Sequence, residues 1–76
     1  MLAYALLITK PLFEHDIYLA LHRAEEINDI YPLFGEYDLI CKIEAEDKEA
    51  VQKVVEEKIK SMEGVLCTKT LMGLIT

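Results

Sequence analysis

Two carboxylates and an aromatic ring occupy three consecutive positions near the middle of the chain: Glu36, Tyr37 and Asp38, directly after Gly35. The runs on either side, Ile27–Phe34 and Leu39–Ile43, have strand character. Glycine supplies the positive φ that a short hairpin loop requires, and a glycine-containing connection between two strand-like runs is a hairpin signal. Such a hairpin would hold an acidic side chain and an aromatic ring at the mouth of a small sheet. An ionised carboxylate there can accept charge-assisted hydrogen bonds. The same residue types also serve a turn that only reverses the chain, with Asp38 as its capping side chain.

No other set of side chains offers sharper chemistry. His15 and His22 are seven residues apart and share a helix face about two turns apart, too far for one metal without a third ligand. Cys41 and Cys67 fall at apolar positions of predicted strands with no Cys-x-x-Cys spacing, so both read as small buried hydrophobes. There is no close nucleophile–base pair and no phosphate-binding glycine loop. A non-enzyme without metal or cofactor is expected. Tyr18 and Tyr31 read as interface or surface residues.

The net charge of −6 and a single arginine, Arg23, argue against direct nucleic-acid contact, which is built largely on clustered Lys and Arg. Met1–Ile8 is apolar but has neither a basic leader nor a cleavage site, and is well short of the ~20 apolar residues of a membrane span. A cytoplasmic protein without membrane contact is expected. At 76 residues the chain makes one domain, and it is 53% hydrophobic before glycine is counted, against roughly 45–50% with glycine in ordinary globular proteins. A domain of this size buries only about 60% of its unfolded surface. The surplus must cover surface, most economically as a subunit interface.

The elements that position the central loop follow from periodicity. Leu2–Thr9 is an unbroken apolar run before Lys10-Pro11 and reads as a strand. Glu14–Ile27 carries Ile17, Ala20, Leu21, Ala24 and Ile27 at helical steps, with Glu14 and Asp16 in the first turn. After the hairpin, Asp47 is the expected N-cap of a second helix with the stripe Val51, Val54, Val55, Ile59 and Met62, Lys58 and Lys60 in its last turn, and Gly64 as its C-terminal cap. Its charged side is expected to face solvent with i,i+4 pairs Glu49–Lys53 and Glu56–Lys60. Val65–Ile75 reads as the last strand. The order β-α-β-β-α-β is that of α+β ferredoxin-like folds, a four-stranded antiparallel sheet with two helices on one face. The second strand then lies at an edge, where Pro32 is tolerated, and the first lies in the centre. Helices cover one side of that all-apolar first strand; the same sheet from another copy would cover the other.

Taken together, Ala3-Tyr4-Ala5-Leu6-Leu7-Ile8, the Gly35-Glu36-Tyr37-Asp38 hairpin, Lys42-Ile43-Glu44-Ala45-Glu46-Asp47 and Gly64-Val65 followed by Thr68-Lys69-Thr70 resemble the effector-binding (RAM) domain of the Lrp/AsnC transcription regulators. The resemblance covers essentially residues 1–76. It implies dimers formed through the sheets, assembling further into tetramers or octameric rings of dimers. It also implies amino acid effectors bound between dimers near the hairpin. By position, the ligand-binding candidates are Gly35, Glu36, Tyr37 and Asp38 with Thr68 and Thr70 on the last strand. Asp38 or Glu36 would pair with an α-amino group, threonine hydroxyls or hairpin N–H groups would hold a carboxylate, and Tyr37 would close over the ligand. For Thr68 and Thr70 the simpler reading is cross-strand packing on a solvated strand face.

Full-length members of that family also carry a helix-turn-helix DNA-binding domain, which nothing in these residues encodes, so a stand-alone module is expected. It could act by mixing with full-length regulators that share its interface. Two departures stand out: Lys10-Pro11-Leu12-Phe13 lacks the Pro-Gly turn common after the first strand, and Gly73 interrupts the last strand. Two alternatives remain open. One is a purely structural assembly domain with a vestigial ligand site. The other is an enzyme of the dimeric α+β-barrel type, which shares the element order but would need a catalytic base or cofactor contact behind the sheet.

Overall fold

The computed structural model describes residues 1–73. Its elements are β1 (Leu2–Thr9), α1 (Glu14–His22), β2 (Ile27–Pro32), β3 (Leu39–Glu44), α2 (Lys48–Val54) and β4 (Val65–Leu71). The four strands form one antiparallel sheet in the order β2-β3-β1-β4, the ferredoxin-like arrangement. β1 is internal and β2, with Pro32, is an edge strand, as the composition of those strands requires.

Alternation along β1 divides the molecule into two sides. Ala3, Ala5, Leu7 and Thr9 are buried, while Leu2, Tyr4, Leu6 and Ile8 are half-buried. The buried set meets Leu39, Cys41 and Ile43 of β3, together with Ile17 and Leu21 of α1 and Val51 and Val54 of α2. Both helices therefore pack on one face, and their apolar stripes complete a single core. Helices this short are marginal alone in water, so this burial is what holds them.

α2 begins where Asp47 accepts the N–H of Ala50 through its side chain at 2.8 Å. It then runs into a wide π-helical turn, Val55–Ile59, closed by the Lys60 N–H on the Val55 carbonyl at 2.8 Å. The predicted stripe survives the wide turn, with Val51, Val54, Val55 and Ile59 buried and Met62 packed beside them. Glu56 and Lys60 pair at 3.0 Å, whereas Glu49 and Lys53 form no pair among the described residues; Lys58 instead lies 4.0 Å from Glu26.

Several expectations are corrected. α1 stops at His22 and not at Ile27: Ala24 donates to Leu21, Ile27 donates to Ala24, and Ile27 then pairs with Ile43 in the sheet. β2 ends at Pro32, so the connection to β3 spans residues 33–38 and is wider than a tight hairpin, with Phe34 fully exposed. Gly64 lies past a further turn beyond the helix and does not cap it directly. Cys67 is exposed, because its place opposite Ile8 puts it on the side away from the helices; Cys41 is buried as expected, and both thiols are free. β4 ends at Leu71, before Gly73, so that glycine follows the strand and does not interrupt it. The predicted continuation through Leu74 and Ile75 lies outside the described residues.

Candidate functional site

The loop between β2 and β3 is built around Asp38. Its backbone N–H donates to the Leu7 carbonyl and its carbonyl accepts from the Leu33 N–H, both at 2.8 Å. Its carboxylate reaches the end of β1, where Oδ2 accepts the Thr9 N–H at 2.8 Å and the Thr9 hydroxyl at 3.3 Å. Asp38 thus closes the loop and ties it to the central strand. Gly35 sits at φ 136°, a conformation that side-chain-bearing residues rarely adopt, and it lets the chain turn at the loop tip. Glu36 is exposed beside it, and Tyr37 is half-buried.

Thr68 and Thr70 lie elsewhere. They face the helix side of β4, opposite Leu7 and Ala5 respectively, and both are half-buried. Because β1 separates β4 from β3, the threonines and the loop carboxylates do not converge within one copy of the chain. Thr70 borders a shallow groove with Gln52, Glu56 and Lys60 of the second helical segment. The strand face they occupy is therefore the covered one, not the solvated one.

Next to the loop lies an open groove of about 600 Å³, lined by Leu12, Glu14, His15, Tyr18, Pro32 and Leu39. Pro32 and Leu39 bracket the loop, so groove and loop share a wall. The groove offers an apolar floor with one carboxylate and one imidazole at its edge. Leu12, which stands where a Pro-Gly turn was absent, takes φ 77° and is almost fully exposed. Tyr18, which the sequence reads as an interface or surface residue, stacks on His22 with ring centres 5.9 Å apart. Among the described residues, no cluster of His, Cys, Asp or Glu could hold a metal ion. No described helix is long and apolar enough to cross a membrane.

Thr9 is the residue that sequence reading missed. It closes an apolar run and looks like a strand terminus, yet among the described residues it is the one buried polar residue, and it is the partner of Asp38. The available signal was its place in the alternation, in step with Ala3, Ala5 and Leu7.

A family profile, the Lrp/AsnC ligand binding domain, matches residues 14–75. Among curated proteins none matches. Solved structures do. FFRP-DM1 is 29% identical with a TM-score of 0.90, over 96% of this chain and 97% of its own. TTHA0845 from Thermus thermophilus is 27% identical with a TM-score of 0.91, over 99% of this chain and 94% of its own. The transcriptional regulator NMB0573 from Neisseria meningitidis, solved as a complex with L-Met, is 17% identical, a likeness of fold, with a TM-score of 0.86 over 97% of this chain. This chain spans about half of that regulator's length, 49%.

Proposed function

Because the chain belongs to the Lrp/AsnC ligand-binding-domain family, we propose that it is an amino-acid-sensing module that works as an assembly of copies in the cytoplasm. The family match over residues 14–75 carries this reading. The L-Met complex of the Neisseria regulator supports an amino acid as the effector class. In this reading the loop of Gly35, Glu36, Tyr37 and Asp38 meets the ligand's ammonium group, and the neighbouring groove takes its side chain. Thr68 and Thr70 join the site from another copy, since β1 stands between them and the loop. The half-buried row Leu2, Tyr4, Leu6 and Ile8, together with Ile40 and Leu71 on the same side, is the surface through which two sheets pack. An acidic protein with one arginine reaches DNA through a partner, and a full-length regulator of the same family fits that role.

One observation favours a second reading, a structural assembly domain with no ligand. The Asp38 carboxylate already serves the fold through Thr9. A thermal-shift screen of the twenty amino acids, with light scattering of each mixture, separates the two. Ligand that binds only the native state at a hundredfold excess over Kd stabilises by about 2.7 kcal/mol. A clear shift with one or a few amino acids is expected. A stable oligomer that shifts with none would reject the sensing reading and favour the scaffold.

A further inference from the structure

The β1–β3 ladder ends at the pair Leu7–Leu39. Two residues further along β1, the N–H of Thr9 is taken not by a strand carbonyl but by Asp38 Oδ2, at 2.8 Å. The Thr9 hydroxyl converges on that same oxygen at 3.3 Å. Backbone bonds to Leu7 and Leu33 hold Asp38 from both sides. Its carboxylate would otherwise be free at its last torsion, a broad sp³–sp² rotor; the two Thr9 donors fix it. Among the described residues Oδ1 accepts no hydrogen bond, and no fully buried side-chain oxygen lacks a partner, so Oδ1 of this half-buried residue is not sealed from solvent.

We propose that Thr9 is a positioning residue of the effector site, pinning Oδ2 of Asp38 so that Oδ1 is presented to the ammonium group of an amino acid. The assignment rests on the amino-acid-sensing reading above. A carboxylate fixed before binding need not be ordered at the moment of binding, and that saving appears as affinity. Because Asp38 recognises the ammonium, Thr9 sets the preference for a free amino acid over one whose nitrogen is acylated. Thr9 itself touches no ligand.

The test is calorimetric titration of the wild type, Thr9→Val, Thr9→Ala and Thr9→Ser. The probes are the L-amino acid giving the largest wild-type thermal shift and its N-acetyl derivative. Val keeps the backbone donor and the side-chain shape and removes the hydroxyl. Loss of one hydrogen bond to a charged group is expected to weaken the free amino acid roughly tenfold. The N-acetyl form should be unaffected, so selectivity falls, and Ser should restore both. If Thr9→Val does not fold, Thr9→Ala and Thr9→Ser carry the same comparison. Hydroxyl-free variants that bind like the wild type, or that weaken both ligands alike, overturn the positioning role and leave the sensing reading standing. A wild type that binds none of the twenty amino acids overturns both.

Discussion

Phe13 lies against the bare backbone of Gly64: a Cβ placed on that glycine would fall 2.5 Å from Phe13 Cβ and 2.6 Å from its Cγ. Lys10 tightens the junction, its N–H donating to the Gly64 carbonyl at 2.7 Å and its ammonium standing 5.7 Å from the centre of the Phe13 ring. The loop from β1 into α1 is thereby locked to the turn that enters β4. The lock adjoins the clasp between Thr9 and Asp38, because Thr9 pairs with Val65.

Gly64→Ala should therefore be costly on two counts. The residue sits at φ 96°, and the new methyl group would meet the Phe13 side chain close to its own backbone, where it cannot swing aside. Strain and overpacking together are expected to lower stability by about 3 kcal/mol. Gly35→Ala is the matched comparison, with φ 136° but nothing within 4 Å of the added carbon, and a cost of about 1 kcal/mol is expected. Urea denaturation of both variants measures the difference. Equal losses would show that the Phe13 contact contributes nothing.

Asp47→Ala removes the side-chain acceptor for the Ala50 N–H and leaves a donor at the start of α2 without its cap. A loss of about 1 kcal/mol is expected, with Asp47→Asn close to wild type. The urea midpoints of the two variants decide it. A loss of the same size in both would assign the effect to charge and not to the hydrogen bond.

The element order was legible because each period is carried by strongly apolar residues: the alternation of Leu39, Cys41 and Ile43, and the helical steps of Val51, Val55 and Ile59. Boundaries were harder for a physical reason. Ala24 and Ile27 continue the helical spacing of Ile17 and Leu21, yet Ile27 is claimed by the sheet through Ile43, a partner no local pattern displays. Cys67 illustrates the same limit. Whether an apolar strand residue is covered depends on which side of the sheet the helices take, and β4 turns it to the other side. The loop carboxylates were legible by type, but the bond from Asp38 to Thr9 spans 29 positions and is a product of the tertiary fold.

Burial raises the Cys41 thiol from 9.0 to about 11, with a smaller opposing contribution from a backbone hydrogen bond at Ala5. The folded state therefore holds the proton more tightly than the unfolded chain. The resulting stability is fully present below pH 9 and is lost as pH rises towards about 11. In the wild type, the urea midpoint should fall across that window more steeply than in Cys41→Ala. Parallel pH profiles for the two proteins would refute the coupling.

The side of the sheet away from the helices supplies the sharpest test of assembly. Leu6 lies in the half-buried row of β1, and Cys67 of β4 is opposite its neighbour Ile8 on the same side. If two sheets pack through this side, covering Leu6 contributes about 1–2 kcal/mol per copy. A two-fold interface counts that contribution twice. Leu6→Lys also introduces a charge that resists desolvation, so dimer dissociation should rise at least about a hundredfold. Because Leu6 is not in the helix-side core, the variant should keep its native circular dichroism. Light scattering should then report a monomer where the wild type is an assembly. Thiol labelling gives an independent view: Cys67 should react more slowly as wild-type concentration rises, and at a constant fast rate in Leu6→Lys, while buried Cys41 stays protected in both. A wild type that scatters as a monomer at micromolar concentration, with Cys67 labelling independent of concentration, would reject the paired-sheet assembly.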